Sequence, residues 1–267
     1  MTVEQVIARR ISRRSYLPTP LTEEQKTILC ARIVQFSRAG GVRIELVENG
    51  ARAFIRFGRS YGLFSGVQSF FAMIGREDDP HAGEKLGYFG ELLVLEACGL
   101  GLGTCWVGGT FDPDGCPCVL APGEKLFCVI PVGSVPERRG VKESLIYSLA
   151  HRDTKDLEEM YESDVPAPAW FMEGIQAVRR APSARNRQPV RLRYAPGEVS
   201  ASVPDMNRLY DIDLGIAKAH FALPAGGRWQ WGSGGLFEKQ GRGHYGMEIS
   251  VAIDALLGVQ RKTGQPV

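Results

Sequence analysis

The chain reads as an α+β protein built of two similar halves. Two observations predict this. Helix, strand, long helix and strand follow one another twice, and the two series meet at a proline-rich junction, Val165-Pro166-Ala167-Pro168. The strand period is plain in Val42-Arg43-Ile44-Glu45-Leu46 and again in Val190-Arg191-Leu192-Arg193-Tyr194, where apolar and polar residues alternate. Identity between the halves is low, and any α+β protein alternates helices with strands. The repeat therefore rests on the order of the elements.

A first amphipathic helix is expected over residues 3–11 and a second over 22–36. Thr22-Glu23-Glu24-Gln25 opens the second, with threonine as cap and early acids at the positive end of the helix. The strand at 42–46 follows. Residues 86–97 place Leu86, Phe89, Leu93 and Ala97 on one helical stripe, and a strand is expected at 126–132. After the charged stretch 156–162 and the junction come a helix at 170–180 and the strand at 190–194. A long helix at 211–223 carries Leu214, Ala217 and Phe221 on one face, and a last strand is expected at 245–253. The halves are then 1–150 and 166–267.

A length of 267 residues is long for one ordinary domain and short for two full ones. Hydrophobic content of 44% and charge of 23% permit a sizeable core, and a net charge of +2 argues against nucleic-acid binding. The basic pairs Arg9-Arg10, Arg13-Arg14, Arg138-Arg139 and Arg179-Arg180 are, as a class, mostly solvated surface. No signal pattern and no apolar run of membrane-spanning length is present, so a cytoplasmic protein with no membrane partner is expected. The six cysteines show no secreted-scaffold spacing, and reduced thiols are expected. Cys116-Pro117-Cys118 would need further ligands to hold a metal, and the four histidines have no paired spacing to supply them. No metal site is predicted, and the pair reads as two incidental cysteines in a loop.

Three segments carry chemistry. Pro182-Ser183-Ala184-Arg185-Asn186-Arg187-Gln188-Pro189 brackets a Ser-, Asn- and Arg-rich turn between two prolines, directly before a strand. A turn alone also favours Ser and Asn, which cap their own backbones. Arg13-Arg14-Ser15 offers forked positive charge and a hydroxyl, donors suited to a phosphate. Residues 101–109, GLGTCWVGG, end a long helix with glycines that let backbone approach a flat ring, although Gly-Leu-Gly by itself is also an ordinary helix end.

Together these segments resemble the flavin-holding segments of the FMN-dependent nitroreductase family, and the whole chain resembles its fused, single-chain TM nitroreductase subgroup. The resemblance implies a nitroreductase-like fold with two pseudo-symmetric halves, each a mostly antiparallel sheet wrapped by helices, and the two long helices packed as a pseudo-dimer interface. It implies FMN held by Arg13, Arg14 and Ser15 at the phosphate. Ser183, Ala184, Arg185 and Asn186 would lie near the ring or ribityl chain, with Trp106, Val107, Gly108 and Gly109 against the ring. Arg138 or Arg139 resembles a C-terminal basic contact of the family, and would compensate for Leu17, which stands where the family has a second basic residue. Only one of the two pseudo-symmetric sites has all three parts. Residues 36–41, FSRAGG, and 224–229, PAGGRW, stand where the second would need its motifs.

The activity implied is hydride transfer from NAD(P)H through FMN to a nitroaromatic, quinone or similar small-molecule electron acceptor. Arg185 would stabilise charge on the reduced ring. The alternative is a non-catalytic flavin-binding or storage protein that retains the fold. His220, on the apolar long helix, reads as a satisfied interface residue. The flavin site would form within one chain; further assembly is left open.

Overall fold

The computed structural model describes residues 1–55, 63–138, 140, 143–145, 148, 154–204 and 208–259. Helix α1 (Val3–Arg9) and helix α2 (Glu23–Gly40) each begin at a threonine that caps reciprocally with a glutamine three residues on. At α2, Gln25 N–H donates to Thr22 Oγ1 at 3.2 Å and Thr22 N–H donates to Gln25 Oε1 at 3.0 Å. Gly41 closes α2 in the left-handed conformation, φ 62°.

Strands β1 (Arg43–Val47), β2 (Ser69–Arg76), β3 (Gly103–Thr104) and β4 (Glu124–Gly133) form an antiparallel sheet in the order β1-β2-β4-β3. The short helix α3 (Arg52–Ile55) and the long helix α4 (Ala82–Gly99) connect them. The second sheet contains β5 (Tyr161–Ser163), β6 (Arg191–Ala195), β7 (Glu198–Ser202), β8 (Gly227–Trp229) and β9 (Gly235–Lys239), in the order β5-β6-β7-β9-β8. Helix α5 (Ala169–Arg179) precedes β6, and the long helix α6 (Arg208–Ala225) lies between β7 and β8.

The two sheets share one topology. In each, two antiparallel neighbours are followed by a long helix, then by an edge strand, then by the strand that inserts between the edge and the first pair. The second sheet adds only β5, which runs parallel to β6.

Helices α4 and α6 pack face to face, and one apolar core runs from the first sheet through both helices to the second. Helix α4 is buried on every face along nearly its whole length, including the carboxylates of Glu84, Glu91 and Glu96, each of which is paired. Glycine sets how closely the pair approaches. A Cβ on Gly215 would lie 1.9 Å from the Glu84 carbonyl oxygen, and one on Gly87 would lie 2.2 Å from that of Ile212. A smaller apolar cluster around Phe54, Phe64, Phe70 and Phe111 fills the other side of the first sheet.

One expected element is of another kind. Residues 245–253 do not form a strand; a turn leads into helix α7 (Ile249–Leu257). Its buried residues Ile249, Ala252, Ile253 and Leu256 fall at helical spacing, a period that the local Ser-Val-Ala-Ile alternation masks. The strand matching β4 is instead β9.

Helix α7 packs on α1 and α4 of the first half as well as on α6 of the second, and a buried network ties it to the first. Arg32 Nε donates to Glu96 Oε2 at 3.1 Å, Arg32 Nη1 donates to Asp254 Oδ1, and Ser250 Oγ donates to Glu96 Oε1 at 2.5 Å. Strand β5, upstream of the proline-rich junction, already belongs to the second sheet. The halves therefore interleave. Among the described residues, no helix is long and apolar enough to cross a membrane.

Candidate functional site

A cleft of about 850 Å³ opens where the end of α1, the stretch 10–14, the loop after β3 and the segment after α5 converge. That volume lies within the range of roughly 300–1,000 Å³ usual for small-ligand sites. Residues 12–16 run extended beside the first sheet's edge and a neighbouring loop. Ser12 lies beside Thr104 and Ser15 beside Ser65, with Arg13 N–H donating to Thr104 O at 2.9 Å. Side chains on an extended stretch alternate sides. Arg13 turns inward, where its Nε donates to Glu143 Oε1 at 3.2 Å and its Nη2 to Pro136 O at 2.9 Å. Arg14 turns outward into the cleft wall, while its backbone N–H donates to Glu143 Oε1 at 2.6 Å. Glu143 thus fixes the segment from behind.

The opposite wall is the segment after α5. Arg185, Asn186 and Gln188 take φ values of 54°, 50° and 46°, a region that side chains other than glycine seldom occupy. Each such residue costs about 1–3 kcal/mol and persists only where its surroundings dictate it. They do so here. Ser183 Oγ accepts from Gln188 N–H at 2.9 Å, and Gln188 Nε2 donates to Arg179 O at 2.9 Å. The Asp213 carboxyl, on α6, accepts from Ala184 N–H at 3.0 Å. Burial pushes that carboxyl up to about 7, against the lowering effects of the Ala184 N–H and of Arg187.

The third wall carries Trp106. A Cβ on Gly90 would lie 2.5 Å from its ring, so glycine makes the room for the indole. Trp106 Nε1 donates to Glu91 Oε2 at 2.7 Å. Glu91 and His220 are fully buried, with His220 Nε2 2.8 Å from Glu91 Oε1 and His220 Nδ1 3.0 Å from Ala177 O. A carbonyl only accepts, so Nδ1 bears a hydrogen. His220 is the satisfied interface residue that the sequence suggests, and it joins Trp106 to α5 across the two halves.

The cleft therefore brings together Arg14, Trp106, Ser183, Arg185 and Asn186. Arg13 stands behind the wall in its ion pair, Ser15 sits in its bridge to Ser65, and the Ala184 N–H is committed to Asp213. Val107 is buried and exchanges both backbone hydrogen bonds with Val129, so its N–H does not face the cleft. Gly108, Gly109 and Arg138 are exposed and outside the wall, and Arg139 lies outside the described residues.

Sequence reasoning missed Arg10, Arg179, Arg180 and Tyr245, all of which line the cleft. Two of the basic pairs that read as surface contribute here. Their signal was position, since one pair lies just before the Arg-Arg-Ser segment and the other just before the Pro-Ser segment. Cys105 also lines the cleft, and burial pushes its thiol up, away from reactivity. Cys116 and Cys118 place their sulfurs 3.4 Å apart in a loop, and no group of metal-ligating side chains occurs among the described residues.

Such a cleft suits an aromatic ligand with a phosphate: guanidinium forks, hydroxyl and amide groups, and a flat indole converge on one space. A model of the family described as "Putative TM nitroreductase" matches residues 2–225. A putative nitroreductase from Thermotoga maritima is similar in fold, with a TM-score of 0.61, 21% identity, and coverage of 89% of this chain and 92% of that one. An FMN-dependent nitroreductase from Clostridium difficile gives a TM-score of 0.41 at 16% identity over 55% of this chain and 97% of that one. A nitroreductase with bound FMN from Bacteroides fragilis gives 0.36 at 15% identity, over 52% and 94%. No curated protein matches the sequence.

Proposed function

The chain belongs to the putative TM nitroreductase family, and from that premise we propose that it is an FMN-dependent oxidoreductase that takes reducing equivalents from NAD(P)H and delivers them to a small electron acceptor such as a nitroaromatic or quinone. The observation that carries this reading is the convergence of Arg14, Trp106, Ser183, Arg185 and Asn186 on one cleft, from three segments far apart in the chain. Bound FMN would supply hydride chemistry that protein side chains lack.

The chain's own residues bind and orient. Arg14, set outward by the alternation of residues 12–16, is the phosphate cation in this reading, and Arg13 is its structural support. Arg185, Asn186 and Ser183 supply donors that the strained turn holds in place before any ligand arrives, which lowers the cost of ordering them on binding. Trp106, fixed by Glu91, closes the inner wall and excludes water from one side. In this reading Arg185, which lines the cleft, would stabilise negative charge developing on the ring. The matching topology of the two sheets supports a chain that carries both halves of a pseudo-dimer, so that the site is completed within one chain.

The test is direct. Purified protein supplied with FMN is expected to retain a visible flavin spectrum after desalting, and anaerobic mixing with NADH or NADPH is expected to bleach it rapidly. Failure to retain flavin overturns the reading. Retention without bleaching by either nucleotide leaves a flavin-binding protein and removes the enzyme.

A further inference from the structure

Among the described residues, five arginines line the cleft, Arg10, Arg14, Arg179, Arg180 and Arg185, against a single carboxylate, Glu4. The whole chain carries a net charge of only +2, so the lining of this cleft is far more basic than the chain as a whole. A phosphate monoester contributes nearly two negative charges. Even with FMN bound as proposed, the cleft keeps an excess of positive charge.

That excess has a location. Arg10, Arg179 and Arg180 cluster where the end of α1 meets the end of α5, and Arg10 Nη2 donates to Arg180 O at 2.9 Å. The Arg10 side chain is nine-tenths buried, yet its Nε has no hydrogen-bond acceptor among the described residues. It forms an ion pair with Glu91, at 3.7 Å from Oε1, too long for a hydrogen bond. A buried guanidinium donor left unmade is costly, and Arg10 is among the residues that line the cleft. Arg179 and Arg180 stand exposed at the rim above it, placed to attract an anion from solution.

Resting on the flavin reading, we propose that the second ligand of this cleft, the one that binds beside the flavin, carries an anionic group, a carboxylate, sulfonate or phosphate, which Arg10 and Arg180 bind. Within that reading, the acceptor is a nitroaromatic, quinone or similar molecule that carries an anionic group.

Nicotinate and nicotinamide, alike in shape and different in charge, provide the probe pair. Each is titrated into FMN-loaded protein while the flavin absorbance is followed. Nicotinate is expected to bind roughly tenfold more tightly than nicotinamide, the worth of one charge-assisted hydrogen bond, and its advantage is expected to shrink as salt is raised. In Arg10→Gln, and separately in Arg180→Gln at the exposed rim, where folding is not at stake, the nicotinate-to-nicotinamide ratio is expected to fall toward unity. Turnover with a neutral quinone against its sulfonated analogue, at a fixed nicotinamide donor, is expected to show the same preference in kcat/KM. Equal affinity for the two pyridines, or a preference that survives both substitutions, overturns the anion site and leaves the flavin reading standing. Protein that binds no FMN overturns both.

Discussion

Adjacent arginines at 13 and 14 meet opposite surroundings because an extended backbone sends successive side chains to opposite sides. Arg13→Ala leaves Glu143 buried without its cation, and such a loss costs about 3–5 kcal/mol. Chemical denaturation is expected to show that loss. Arg14→Ala is expected to leave the denaturation midpoint nearly unchanged and to weaken FMN by about tenfold or more, as the removal of one charge-assisted phosphate contact requires. If Arg13→Ala folds normally and loses FMN while Arg14→Ala keeps it, the assignment is reversed. An Arg-Arg-Ser motif announces a basic segment, but no motif states which side of it faces a ligand. That information lies in the bridges to Thr104 and Ser65, which are remote in sequence.

Asp213 offers a second test at this scale. Its carboxyl is pushed up to about 7 by burial, from an ordinary value of 3.8. Between those values the folded chain holds a proton that the unfolded chain has released, so stability from this group falls as pH rises from about 4 to about 7. Asp213→Asn keeps an oxygen to accept the Ala184 N–H and removes the buried charge. Its midpoint is expected to equal or exceed that of the parent at pH 8, with the difference shrinking toward pH 5. A variant that is less stable at pH 8 than at pH 5, relative to the parent, contradicts the sign.

At the scale of elements, the contact between α4 and α6 rests on small residues. Gly215→Ala would place a methyl 1.9 Å from the Glu84 carbonyl oxygen and 2.6 Å from the Tyr88 nitrogen, both backbone atoms that cannot rotate away. Overpacking typically costs about 1–3 kcal/mol, and rigid backbone on both sides puts this case at the upper end. Gly246→Ala, whose Cβ would meet nothing within 4 Å, serves as the comparison and is expected to be nearly neutral in urea melts. Equal effects from the two substitutions would show that the helices are free to part. The helices themselves were readable: the stripes at 86–97 and 211–223 fall inside α4 and α6, and Thr22 caps α2 as its sequence suggests. Helix α7 was not, because a short apolar run satisfies both periods, and only the packing of Ile249, Ala252, Ile253 and Leu256 on the first half decides between them.

For the whole molecule, the shared topology of the sheets raises the question of why one cleft should serve where two are related by the repeat. Trp231 follows β8 by two residues, as Trp106 follows β3. The counterpart tryptophan, however, packs against aromatic rings, with its ring centroid 5.7 Å from that of Tyr88 and 6.1 Å from that of Phe89. Its loop is clamped to the helix interface by a buried ion pair. Lys218 Nζ donates to Glu84 Oε1 at 2.5 Å and to Gln230 O and Gly232 O at 2.9 Å each, and Glu84 Oε2 accepts from Gly232 N–H at 2.6 Å. Phe89 also covers Gly40, in the stretch that stands where the second site would need its Pro-Ser motif. Aromatic side chains thus crowd this counterpart position, and releasing the clamp would leave Lys218 or Glu84 buried without its partner. Titration of the protein with FMN, followed by absorbance after desalting, is therefore expected to saturate at a single equivalent per chain, on a species of monomer mass or on a whole multiple of it. Saturation at two equivalents would mean that the aromatic cluster opens, and the asymmetry drawn from Trp231 and its clamp would fall with it.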